Sequence, residues 1–121
     1  MYDAIEVSAA SDDPRQRTQA VVQVIDMLDL FQAELARILG LKCSDIGELV
    51  NAQKFLQPDS IAWTRAEELI RFYRLLYRYK KGDGVAMRHW LRRINPQFQQ
   101  TPHLMLVDED RILELLAVLK N

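Results

Sequence analysis

The stretch QAELARILGLKCSDIGELVN, Gln32 to Asn51, decides how the chain is read. Leu35, Ile38 and Leu39 recur at helical spacing and give one apolar face. Gly40 follows as a helix stop, because glycine enters the left-handed region without a Cβ clash. Ile46 and Leu49, with Val50 beside them, then give a second short helix its own apolar side. Ala36 is small where two such helices must cross closely. The stretch predicts two short helices joined by a tight turn.

Working outward toward the N-terminus, Asp29 stands three residues ahead of Gln32 in a capping-box spacing and predicts the start of the first of these helices. Before it, Asp13 caps and Pro14 opens a helix whose stripe is Val21, Val22, Ile25 and Leu28. Residues 1–12 have no apolar period and read as a mobile tail. In the other direction LQPDS marks a loop, and Thr64 with Glu67 gives a second capping-box pattern. A long helix, RAEELIRFYRLLYRYKK, is then expected to turn Leu69, Phe72, Tyr73, Leu76 and Tyr77 inward. KGDG breaks it, Asp83 caps GVAMRHWLRRI, and Thr101 with Pro102 starts a further short helix. DEDRILELLAVLK reads as the last helix, with acids in its first turn and Lys120 in its final one, as the helix dipole favours. With no strand signal, the expected fold class is all-α. The expected division is a tail over 1–12, a helix-turn-helix bundle over 13–60 and an appended helical domain over 61–121.

At 121 residues, 49% hydrophobic and 27% charged, the chain is long and apolar enough to bury a core. Cys43 is its single cysteine, so no intramolecular disulfide forms, and a reducing cytoplasm is the expected location. Met1 to Ser11 lacks the basic start and apolar core of a secretory signal. The net charge of −1 is unevenly spread: between residues 65 and 93, nine Arg or Lys residues face three acids. An excess of six positive charges there favours an anionic partner.

The Gln32–Asn51 stretch resembles the helix-turn-helix of phage-repressor-like Xre regulators. That resemblance implies that the second helix enters the major groove of double-stranded operator DNA. Gln32 and Asn51 then fall at backbone-contacting positions, and Cys43, Ser44, Gly47 and Glu48 at base-facing ones. Lys42, with Arg37 and Lys54, supplies the local cations, while Asp45 would repel a phosphate. Further on, Trp90, Leu91, Asn95, Pro96, Pro102 and Leu104 resemble the W-L, N-P and P-L landmarks of the toxin-binding domain in the Xre/MbcA/ParS antitoxin family. Together the two resemblances cover about residues 28–119. They imply an antitoxin that neutralises a cognate toxin, often a RES-domain protein acting on NAD, and that represses its own operon as an oligomer. The chain departs from the family pattern at two places. Gln99 and Gln100 stand where members usually have a glycine after the N-P turn, and DEDR stands where another usually precedes the last helix.

Arg71, Arg74, Arg78 and Lys81 recur at spacings of three, four and three, which predicts one basic helix face. It reads as a solvated face, a phosphate-tracking rail or a docking strip for an acidic toxin, the last extended by Arg88, Arg92 and Arg93. Asn95 and His103 complete the candidate partner-binding set. His89 and His103 lack metal-ligand spacing, the DED run at 108–110 reads as a helix cap, and Cys43 has no evident base. No metal, cofactor or enzymatic activity is therefore expected. Two other readings stay open: a helix-turn-helix regulator without a toxin, and a helical protein-binding scaffold that has lost DNA binding. A homodimer is expected in the DNA-binding case, with a seam through Val21 and Val24 or through Leu115, Val118 and Leu119.

Overall fold

The computed structural model describes residues 3–120 and contains seven helices among them: α1 Pro14–Met27, α2 Gln32–Leu39, α3 Cys43–Val50, α4 Ile61–Tyr79, α5 Gly84–Arg92, α6 Pro102–Val107 and α7 Ile112–Lys120. The chain is all-α. None of these helices is long and apolar enough to cross a membrane.

α4 is the axis of the molecule, packed against α1, α2, α5 and α7. Leu69, Ile70, Phe72, Tyr73 and Leu76 of α4 are fully enclosed. Each such side chain contributes about 1.5–3 kcal/mol when removed from water. Buried residues from all seven helices form one apolar cluster, so the expected boundary near residue 60 does not separate two cores.

Helix starts follow the sequence where a short polar side chain meets a proline or glycine. Asp13 accepts from Arg15 N, Asp83 from Ala86 N, and Thr101 from Leu104 N. Two expected starts are corrected. α2 is capped at Phe31, whose backbone N–H donates to Glu34 at 2.8 Å, while Asp29 takes a left-handed φ of 57° two residues earlier. α4 begins at Ile61, capped by the Ser60 hydroxyl, which leaves Thr64 and Glu67 inside the helix. Loop residues that pack on α1 decide the second case: Leu56 is buried, and its N–H donates to Thr18 Oγ1. The DED run is also displaced, because Asp108 closes α6 and α7 starts only at Ile112.

Residues 1 and 2 of the expected tail lie outside the described residues. Residues 3–10 run along the C-terminal part of α4, with Ala4 and Val7 buried. Ala4 N donates to Gly82 O at 2.8 Å, and the Tyr73 hydroxyl donates to Ile5 O. An extended segment that contributes isolated apolar residues has no helical period to detect. Of the residues expected at a dimer seam, Val21, Val24 and Leu115 are taken up by the core, whereas Val118 and Leu119 of α7 stay half-buried.

Candidate functional site

α2 and α3 pack on each other across the Gly40–Leu41–Lys42 connection. Gly40 closes α2 with φ 72°, and nothing lies within 4 Å of a Cβ built there, so its backbone angle alone calls for glycine. Leu35, Leu39, Ile46 and Leu49 point into the core. The opposite side of the pair carries the sequence candidates: Gln32, Lys42, Cys43, Ser44 and Asn51 are exposed, and Gly47 and Glu48 are half-buried. Two of its acids are committed locally. Asp45 accepts from Lys42 N at the start of α3, and Glu48 pairs with Lys54 at 3.3 Å. The exposed face therefore offers amides, a hydroxyl, a thiol and one lysine.

The basic residues do not form one continuous strip. α4 ends at Tyr79, and Lys81 lies beyond it with a left-handed φ of 54°, so it leaves the helical face that its spacing predicts. Arg71 is held by Glu67 at 3.1 Å. Arg74 and Arg78 are exposed, make no ion pair among the described residues, and flank a hollow of about 390 Å³ beside Glu6–Ser8. Arg92 donates to Asp29 O at 2.7 Å, and Arg88 to Gly84 O at 3.4 Å. Arg93 stays exposed beside a second hollow that also includes His89, Trp90 and Asn95. At roughly 1.5 Å per residue, Arg78 lies about 20 Å along α4 from Arg65, where this helix meets the α2–α3 region.

Two further candidates are occupied within the fold. Asn95 Oδ1 accepts from Gln97 N at 2.9 Å, closing the turn after α5. His103 Nε2 meets Glu34 Oε2, which joins α6 to α2. Trp90 is half-buried and packs its ring 6.2 Å from that of Phe72. The backbone is left-handed at Gln99, with φ 59°, and at Asp110, with φ 53°.

Sequence spacing missed the residues that lock these parts together. Arg65 forms a two-pronged pair with Asp110, at 2.6 and 2.9 Å, and also donates to Ile38 O. Arg37 pairs with Asp108 at 2.6 Å. Arg111 bridges Glu109 and Glu114 and lies over the Phe98 ring. The acids of the DED run are the shared element, since each anchors an arginine from elsewhere in the chain or next to it. Among the described residues, no three His, Cys, Asp or Glu side chains gather as a metal site. No protein-family model matches the chain, and no curated protein matches it.

Proposed function

We propose that the chain is an antitoxin-like transcriptional regulator, in which the exposed side of α2–α3 contacts operator DNA and the basic surface of α4–α5 holds a cognate toxin. The observation that carries this reading is backbone geometry. Gln99 and Asp110 are left-handed at the two places where the Xre/MbcA/ParS antitoxins usually have glycine. Left-handed backbone is what a glycine at those two places would supply, which supports the resemblance. The α2–Gly40–α3 hairpin, with Gln32, Lys42, Cys43, Ser44 and Asn51 facing outward, supports the DNA half.

The separation of about 20 Å along α4 between Arg65 and Arg78 favours different surfaces for the two activities. Arg74 and Arg78, about 14 and 20 Å along α4 from Arg65, fit an acidic protein better than a DNA rail. A RES-type toxin is the favoured partner from the resemblance. The pairing of Lys54 with Glu48 favours a second reading, a protein-binding scaffold without DNA, because it withdraws a cation from beside α3.

A paired titration separates these readings, using the DNA upstream of the chain's own coding region and the product of the neighbouring gene. Under the leading reading, Lys42→Glu with Asn51→Asp abolishes DNA binding and spares the protein complex. Arg74→Glu with Arg78→Glu does the reverse. Failure of the unaltered chain to bind either probe, alone or in combination, rejects the antitoxin reading; protein binding alone selects the scaffold.

A further inference from the structure

Beside the ends of α4 and α5 lies a hollow of about 370 Å³. Its polar side chains are Lys80, His89, Trp90, Arg93 and Asn95, and no carboxylate lines it. Every one of them has a donor to spare. The Arg93 guanidinium, the His89 ring and the Trp90 indole N–H make no hydrogen bond among the described residues. Asn95 uses its Oδ1 to accept from Gln97 N, which leaves both N–H groups of its amide. Lys80 holds its ammonium 4.5 Å from the centre of the Tyr79 ring and has no acidic partner among the described residues. Asp83, the acid nearest to it in sequence, lies outside the lining and caps α5 through Ala86 N.

The other hollows differ in this respect. Glu6 lines the one beside Arg74 and Arg78, and the one between α2, α3 and α4 has Arg37 and Arg65 paired with acids of its own rim. The hollow at Arg93 thus offers donors and cations with no internal acceptor side chain to satisfy them. The carbonyl ends of α4 and α5 oppose an anion there, but each is equivalent to only about half a negative charge, so two full cations keep an excess of about one.

The apolar part of the lining narrows the ligand. Trp90 is half-buried against Phe72, and Ile94 beside it is 69% exposed. A ring laid against these two side chains would remove apolar surface from water. A volume of about 370 Å³ lies near the lower end of small-molecule sites, about 300–1,000 Å³, which fits one ring system with one anionic group. Donors from several side chains outnumber the two oxygens of a carboxylate and suit the three terminal oxygens of a phosphate.

We infer that this hollow binds an aromatic phosphate monoester of about mononucleotide size, with the phosphate held by Lys80, Arg93 and Asn95 and the ring against Trp90 and Ile94. The inference does not rest on the regulator reading, because the donor-only lining is the same whatever α3 contacts.

Titration of the isotope-labelled full chain with adenosine monophosphate, followed at the two indole N–H signals, tests it. The Trp90 signal should shift to saturation with a Kd of about 1 mM or below, and that of Trp63, whose ring lies against Arg17, should not move. Adenosine, which lacks the phosphate, and inorganic phosphate, which lacks the ring, should each bind at least about 10-fold more weakly. Lys80→Gln and Arg93→Gln should each weaken the monophosphate by about 10-fold. Asn95→Asp keeps the oxygen that accepts from Gln97 N but replaces the donor with a negative charge, and should weaken it by at least as much. Amide signals of α1–α3 report whether each variant keeps the fold. The absence of a saturable shift at Trp90 up to about 10 mM overturns the inference. Equal affinity for inorganic phosphate, an adventitious ion only, also overturns it, as does equal affinity for adenosine or indifference to both cation substitutions.

Discussion

The guanidinium of Arg17 lies 3.8 Å from the centre of the Trp63 ring, while its Nη1 donates to the carbonyl of the same residue at 3.1 Å. Nε donates to Ser11 O at 2.8 Å, and Glu67 and Asp12 stand at 3.9 and 3.5 Å from its terminal nitrogens. A side chain that is 2% exposed therefore ties the entry to α1 onto the first turns of α4. Arg17→Ala removes a donor from each of two carbonyls and the ring contact, a loss of about 2–4 kcal/mol. Arg17→Lys should recover less than half of it, since an ammonium cannot reproduce the planar fork. Urea unfolding of the three proteins measures both quantities, and equal stability of the lysine variant and the parent would refute the account.

Glu34 does two things at once, accepting from Phe31 N at the start of α2 and meeting His103 of α6. Glu34→Ala should cost about 1–3 kcal/mol, more than His103→Ala, because only the first substitution also uncaps a helix. A double-mutant cycle in thermal unfolding isolates the shared part, expected at about 0.5–1.5 kcal/mol. Strictly additive losses would show that the two side chains do not interact.

The left-handed backbone at Gln99 gives a test without loss of side-chain contacts, since none of its side-chain atoms takes part in a hydrogen bond described above. Gln99→Gly should be neutral to stabilising by up to about 1 kcal/mol, and Gln99→Val destabilising by more than 1 kcal/mol. The same change at Asp110 should destabilise despite the same φ, because it also removes the Arg65 pair. The sign difference between Gln99→Gly and Asp110→Gly, read from melting temperatures, is the decisive result.

Hydrogen bonds from Arg111, with Nε 2.6 Å from Glu114 Oε2, hold the Glu114 carboxyl below its ordinary 4.5; partial desolvation opposes the shift and the charge of Arg111 adds to it. A depressed folded-state value means that the stabilising contribution is complete above the unfolded value and is lost as pH falls through the lower folded one. Carbon-detected NMR should therefore place the Glu114 midpoint below 4.5, and Arg111→Met should return it to the ordinary range. The contribution of the pair to stability should therefore be the same at pH 7 and pH 5, which both lie above the unfolded value, and because the pair is exposed only a small loss should appear as pH falls below 4.5.

Much of the architecture was legible in the residues themselves. The 3–4 spacing of Leu35, Ile38 and Leu39, the stop at Gly40 and the caps at Asp13, Asp83 and Thr101 each act within one turn of the backbone, so local chemistry was enough. Of the candidate site, the exposure of Gln32, Lys42, Cys43, Ser44 and Asn51 followed from the same period, because they lie off the apolar face. Arg71, Arg74 and Arg78 shared a face as their spacing predicts, whereas Lys81 did not, since the end of α4 fell before it.

By itself, then, the sequence determined the all-α class, the α2–α3 hairpin and the basic character of the α4–α5 region, all set by periodicities and caps of short range. Tertiary structure alone decided which charges are spent inside the fold. Arg37 and Arg65 reach acids at Asp108 and Asp110, His103 reaches Glu34, and Arg92 reaches the carbonyl of Asp29, all across long stretches of chain. It also decided that Val21, Val24 and Leu115 are core while Ile61 and Leu113 are surface. An apolar residue at helical spacing carries no mark of which neighbour will cover it. That depends on how α4 seats against α1, α2 and α7, where burial is gained by whole helix faces together rather than by single residues.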